Sequence, residues 1–144
     1  MKLKDLMSTN VITVHIDDRL IVVKKLFEQN SFHHLMVIND KKELAAVISD
    51  RDYTKAIHPN VDMPSATSKD LASLNKRVHQ IVKRPAICIN EDASLGKAIE
   101  VFHENNITCL PIVDSNKHVI GVVSWRDLLK WLYEKVNKLQ ARKT

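Results

Sequence analysis

Apolar positions recur along this chain in two rhythms. Leu20, Val23, Leu26 and Phe27 fall at helical spacing and form one apolar face, and Leu95, Ala98, Ile99 and Phe102 form another. Short continuous apolar runs, Leu35 to Ile38, Leu44 to Ser49, Leu110 to Val113 and Val119 to Ser124, read as buried strands. Val11 to Val14 and Ala86 to Ile89 are shorter β-rich runs. Leu3 to Met7 predicts a brief helical turn. Asp17 and Asp92 stand where helix N-caps belong, and Asn30 where the first long helix stops. Asn39 to Lys42 and Asp114 to Lys117 are polar turns. A helix is predicted from about Arg51 to His58, and a closing helix from about Trp125 to Gln140. Leu128, Leu129, Leu132, Val136 and Leu139 run along one stripe of that closing helix. Trp131 and Tyr133 fall outside the stripe, which points to a partner helix in another subunit.

The pattern occurs twice. Residues 3–57 lie over residues 78–132 without a gap, with Ile12 on Ile87, Leu35 on Leu110, Ser49 on Ser124 and Asp52 on Asp127. Each copy reads strand, helix, strand, strand, helix, which makes the fold class α/β (α+β). Either copy alone is too small to bury its own sheet, and packing one copy on the other solves that. Residues 1–58 form the first repeat, 59–77 a linker, 78–134 the second repeat and 135–144 a C-terminal helical extension. Pro59, Pro64 and the run Ser65 to Ser68 break structure in the linker, and Ser68 starts a brief helix.

Composition narrows the classes. The 144 residues are 44% hydrophobic and 27% charged, as expected of a globular protein. No apolar run is long enough to cross a bilayer, and the N-terminus lacks the apolar core of a signal peptide, so the expected compartment is the cytoplasm. The two cysteines, Cys88 and Cys109, lie in apolar runs and read as reduced, buried thiols rather than metal ligands. His33 and His34 are adjacent, so a strand would point them to opposite faces. The net charge of +5 gathers in Lys76 to Arg84 and in the tail from Lys130 to Lys143. This fits an anionic ligand, a solvated helix face or, as a minor reading, nucleic acid. Two glycines, Gly96 and Gly121, do not supply a phosphate loop or a dinucleotide fingerprint. No catalytic set assembles from the motifs, and no enzyme activity is expected.

The candidate chemistry lies at two strand-to-helix junctions, Ala46 to Asp52 and Gly121 to Asp127. Asp127 and Asp52 each offer a carboxylate able to accept two hydrogen bonds from a vicinal diol, or to favour a helix start through its dipole. Ser124 and Ser49 fit a ribose or phosphate contact equally as well as an N-cap. Arg126 and Arg51 fit phosphate, or a solvated first helical turn. Thr13 and Cys88 end the two first strands, and His33 and Thr108 start the second-strand regions. For Cys88 a core role competes. Asp17 and Asp92 read as caps without chemistry.

The duplicated unit resembles the CBS domain, and the tandem pair resembles a Bateman module. The diagnostic parts are Leu6-Met7 and Ile81-Val82, Leu110 to Asp114, and the Gly121 to Asp127 junction, in repeated order. Ala46 and Met36 replace the usual glycine and proline. Glycine at that junction allows close approach of a ligand, so Ala46 narrows the first site. The resemblance implies repeats packed through their sheets with pseudo-twofold symmetry, leaving two clefts for AMP, ADP, ATP, S-adenosylmethionine or, more rarely, a dinucleotide. It implies that the junction aspartate holds the ribose hydroxyls, that the serine contacts ribose or phosphate, and that the module forms a homodimer that signals to an effector protein. A scaffold with empty clefts and a nucleic-acid binder are the competing readings.

Overall fold

A computed structural model describes residues 2–82 and 84–143. In chain order the elements are α1 (Leu3–Leu6), β1 (Thr13–His15), α2 (Leu20–Gln29), β2 (His34–Ile38), β3 (Leu44–Ser49), α3 (Asp50–Ala56), α4 (Ser68–Ala72) followed by a 3-10 turn (Ser73–Asn75), α5 (Val78–Ile81), β4 (Ile89–Asn90), α6 (Leu95–Asn105), β5 (Cys109–Val113), β6 (Val119–Ser124) and α7 (Trp125–Lys143). The mixed β-α-β-β-α order is present twice. The chain divides into two compact units: a middle unit, Ile12–Ala86, and a terminal unit, Met1–Val11 with Ile87–Thr144.

In the middle unit β2 pairs parallel with β1 and antiparallel with β3. A parallel pair needs a crossover, and α2 supplies it. Strand alternation directs Val14, Leu35, Val37, Ala46 and Ile48 to one face, where they bury against Leu20 and Val23 of α2. Each such buried valine or leucine contributes about 1.5–3 kcal/mol. The terminal unit repeats this with Ile89, Leu110, Ile112 and Val123 against Ala98 and Val101 of α6.

The short helices cross over between sequence repeat and compact unit. Leu3 of α1, 1% exposed, completes the core under β4, β5 and β6. Ser8 then pairs with Val122 through two 2.9 Å backbone bonds, which extends the edge of β6. Val78 of α5, fully buried, completes the core under β1, β2 and β3, and its N–H donates to the Asp18 carbonyl at 2.9 Å.

The two hairpins turn by the same device. Asn39 Oδ1 accepts from the N–H groups of Lys41 and Glu43, both at 3.0 Å, and Asp114 Oδ1 accepts from Asn116 at 2.8 Å and His118 at 3.0 Å. Lys42 and Lys117 take the left-handed conformation there, with φ of 62° and 64°. One register shift flanks each turn, between Val37 and Ile38 before the first and between Ile112 and Val113 before the second.

Several local expectations are corrected. Asp17 does not cap α2: its N-cap is Arg19 with no side-chain bond, and Leu20 N–H donates to the Lys76 carbonyl at 2.8 Å instead. A partner so far along the chain leaves no local signal. Asp17 lies near His15 and His79, at 3.9 and 3.8 Å. Asp92 does not cap α6 either, because Ser94 accepts from Lys97 N–H at 3.1 Å. Thr13 opens its strand rather than ending it, and Cys88 precedes the two-residue β4. Cys88 is exposed and Cys109 half-buried, so neither is the fully buried thiol expected. α3 starts and stops a residue or two early, and α7 runs on to Lys143.

Candidate functional site

Both junctions fold as reciprocal capping boxes. In the middle unit, Asp52 N–H donates to Ser49 Oγ at 3.1 Å, while Asp52 Oδ2 accepts from the Ser49 N–H and hydroxyl, both at 2.9 Å. In the terminal unit, Asp127 N–H donates to Ser124 Oγ at 3.1 Å, and Asp127 Oδ2 accepts from the Ser124 N–H at 2.8 Å and its hydroxyl at 3.0 Å. The box satisfies N–H groups that a helix start would otherwise leave open. It occupies Oδ2 in both copies, and Oδ1 takes no part in it.

The bulge decides what stands opposite each serine. Without it, counting pairs back from Ile38–Leu44 would bring His33 to Ser49. The shift at Val37 makes the partner His34. In the second copy the same shift sets Cys109, rather than Thr108, opposite Ser124. His34 and Cys109 are therefore junction residues that sequence reasoning missed. A bulge has no residue signature in either hairpin, so only the register reveals them. By strand alternation Thr13, His34 and Ser49 share one sheet face, as the register Thr13↔Met36 and His34↔Ser49 requires.

The remaining candidates are placed as follows. His33 Nδ1 bonds Asp50 Oδ2 at 2.9 Å, and the His33 carbonyl accepts from Asp50 N–H at 2.9 Å. That imidazole holds the Asp50 carboxyl below the usual carboxylate range. Thr108 enters through its carbonyl, which accepts from Trp125 N–H at 3.1 Å. Arg51 and Arg126 are exposed one residue before each aspartate, and Cys88 is exposed outside its strand. Burial pushes the His34 imidazole down and the Cys109 thiol up to about 12, the latter helped by the Asp127 charge. A thiol so raised is no nucleophile near neutral pH. Among the described residues no group of three or more His, Cys, Asp or Glu side chains is arranged to hold a metal ion.

The glycine of the second junction serves packing. A methyl group on Gly121 would lie 2.5 Å from Met7 Sδ, 2.9 Å from Met7 Cγ and 3.1 Å from the Ser8 carbonyl oxygen. The close approach that glycine permits is therefore made by the chain itself. This corrects the expectation that the glycine admits a ligand and that Ala46 narrows its site. In the middle unit a cleft of about 220 Å³ opens beside Ala46, walled by Ile16, Val37, Ala45, Val82 and Pro85. The basic run differs from a free patch: Lys76 Nζ donates to the Ala56 carbonyl at 3.0 Å and Arg77 Nη1 to the Asp17 carbonyl at 2.7 Å. Lys83 of that run lies outside the described residues.

The sequence pattern of the CBS domain matches residues 3–59 and 78–134. The chain belongs to the CBS-domain family. It is 30% identical over 133 residues to a CBS domain-containing protein of Dictyostelium discoideum, covering 90% of this chain and 89% of that one. It is 29% identical to inosine-5'-monophosphate dehydrogenase of Methanocaldococcus jannaschii over 90% of this chain, which is only 23% of that enzyme. Among solved structures it resembles MJ1225 of M. jannaschii, a putative archaeal homolog of g-AMPK, with TM-score 0.75 and 27% identity over 91% of this chain and 47% of that one. It shares the fold of the CBS domain pair of MJ0100 in complex with 5-methylthioadenosine and S-adenosyl-L-methionine, with TM-score 0.74 and 24% identity over 94% and 98% of the two chains. No helix of this CBS pair, among the described residues, is long and apolar enough to cross a membrane.

Proposed function

We propose that this CBS pair is a regulatory module that binds an adenosine-containing ligand, AMP, ADP, ATP or S-adenosylmethionine, and signals its presence to a partner protein. The observation that carries the reading is the repeated box, in which a carboxylate is oriented by a serine and keeps one oxygen outside the cap. A ribose diol needs such an acceptor. Two solved structures of this fold support the ligand class, one in complex with ATP and one with 5-methylthioadenosine and S-adenosyl-L-methionine. Asp52 and Asp127 hold the ribose, Ser49 and Ser124 contact ribose or phosphate, and Arg51 and Arg126 reach phosphate. Thr13 and Cys88, with His33 and Thr108, line the approach. No catalytic role is assigned to any of them. A cytoplasmic location fits the same reading, since both cysteines stand as free thiols.

The test is thermal unfolding of the purified protein with AMP, ADP, ATP, S-adenosylmethionine and NAD. A ligand specific to the folded state, at a hundred times its Kd, adds about 2.7 kcal/mol. A shift with one ligand, absent from the Asp52→Ala/Asp127→Ala protein measured against its own midpoint, is the expected result. No shift with any of them, in protein free of copurified nucleotide, overturns the reading.

A docking scaffold is the second reading, favoured by α7. Only Leu128 of the predicted stripe packs on the core, while Leu129, Leu132, Val136 and Leu139 are 53, 50, 42 and 58% exposed. A homodimer through this helix would cover them, and a monomer in sedimentation at micromolar concentration would count against it.

A further inference from the structure

We propose that the exposed seam of α7 docks one helix of a partner protein, a helix with an apolar stripe and acidic edges. This names the partner of the regulatory reading above, and rests on that reading only for there being one. Trp125, Leu129, Leu132, Val136 and Leu139 follow one another at steps of four, three, four and three. These are the a and d positions of a coiled-coil heptad, with Leu129 and Val136 at a. The seam runs about 21 Å along the helix. All five side chains are exposed. From Leu132 to Lys143 every residue is exposed, and a helical segment in a protein ordinarily draws its stability from packing an amphipathic face. The last part of the helix, Lys135 to Lys143, lies beyond the residues that match the CBS pattern.

The narrowness of the stripe makes the occupant a helix. A strict a/d stripe is slimmer than the apolar face of a core helix and fits a single facing helix. Valine at a with leucine at d suits a two-stranded pair. Charge decides which helix. The charged residues at e and g are Arg126, Lys135 and Arg142, all basic. The Lys135 ammonium stands 5.9 Å from the centre of the Trp131 ring. Asp127 and Glu134, the two acids of α7, both fall at f, on the side opposite the seam. Among the described residues no cation of α7 pairs with a carboxylate. A second copy of the chain does not answer this charge. Parallel self-pairing matches Lys135 with Gln140, and antiparallel self-pairing sets g against g with no acid among them. Carboxylates at the e and g positions of a partner helix do answer it, and those positions set partner choice.

Fluorescence anisotropy on the full chain tests this with two labelled three-heptad peptides. Both carry valine at a and leucine at d; one has glutamate at e and g, the other lysine. The glutamate peptide should bind in the micromolar range and at least tenfold tighter than the lysine peptide. Its binding should weaken severalfold between about 0.05 and 0.5 M salt, because screening shortens charge interactions. Leu132→Glu/Leu139→Glu alters exposed side chains and does not threaten the core, and it should abolish binding. Lys135→Glu/Arg142→Glu should reverse the preference between the peptides. Equal binding of both peptides, wild-type affinity in either double variant, or no binding at all overturns the proposal. So does a dimer in sedimentation that Leu132→Glu/Leu139→Glu dissolves, which assigns the seam to a second copy, or binding to phosphatidylserine vesicles in place of the peptide. Thermal shifts with nucleotides on the same protein report separately on the ligand: a shift without peptide binding removes only the acidic partner, and peptide binding without a shift removes only the ligand.

Discussion

Gly121→Ala sets two effects of opposite sign against each other. Gly121 does not have positive φ, so alanine is compatible with its backbone. Replacing glycine at such a position ordinarily stabilises by about 0.4–1 kcal/mol, because the unfolded chain loses freedom. Against this stands the clash with Met7 Sδ at 2.5 Å and the Ser8 carbonyl oxygen at 3.1 Å. The thioether can swing aside at small cost. The carbonyl cannot, because Val122 N–H holds it at 2.9 Å and the Ser8 N–H is bonded back to Val122 at 2.9 Å. Overpacking of this kind costs about 1–3 kcal/mol. The clash wins, with a net loss of about 1–2 kcal/mol. That corresponds to a fall of about 3–8 °C in a chain of this size. Urea unfolding followed by circular dichroism measures it, with Met7→Ala as the second edge of a double-mutant cycle. Because the Ser8 carbonyl remains in the Met7→Ala background, the substitution should keep most of its cost there, with a coupling below about 0.5 kcal/mol. A stability gain from Gly121→Ala alone, or a cost abolished in the Met7→Ala background, would refute the packing argument.

Two further outcomes follow from buried polar groups. The Tyr53 hydroxyl is buried without a partner, 6.0 Å between its ring and that of Phe27, and burial raises the phenol to about 12. Tyr53→Phe should therefore raise stability by about 1 kcal/mol, and a loss of that size in chemical denaturation would show that the hydroxyl has a partner in solution. Burial holds the His34 pKa below its usual 6.5 in the folded chain. Below that value the unfolded chain binds the proton first, so stability falls as pH drops from about 7 toward 5. His34→Gln should flatten that slope, and an unchanged slope would assign it to another group.

Much of the site was legible in advance because its signal is local. Ser49-Asp50-Arg51-Asp52 and Ser124-Trp125-Arg126-Asp127 carry the cap, the box and the helix start within four residues, and a capping box needs nothing farther away. The hairpin turns were equally plain, since Asn39 and Asp114 bond their own neighbours. His34 and Cys109 were missed because a bulge shifts the pairing by one. A one-residue shift exchanges the faces of a strand without changing its composition. The start of α2 was misread because its first N–H is satisfied by Lys76, a residue of another segment.

The sequence by itself determined the duplication, the order of elements in each copy and the chemistry of the two junctions. Those depend on periodicity and on bonds between residues a few positions apart. Only the tertiary structure decided that α1 completes the core of the second repeat's sheet and α5 that of the first. Only it decided that Met7 fills the space beside Gly121 while Ala46 borders an open cleft. An aligned repeat records which residues correspond, whereas packing depends on which surfaces meet. Leu3 and Val78 occupy corresponding positions in their repeats, and each buries its side chain against the other repeat's sheet.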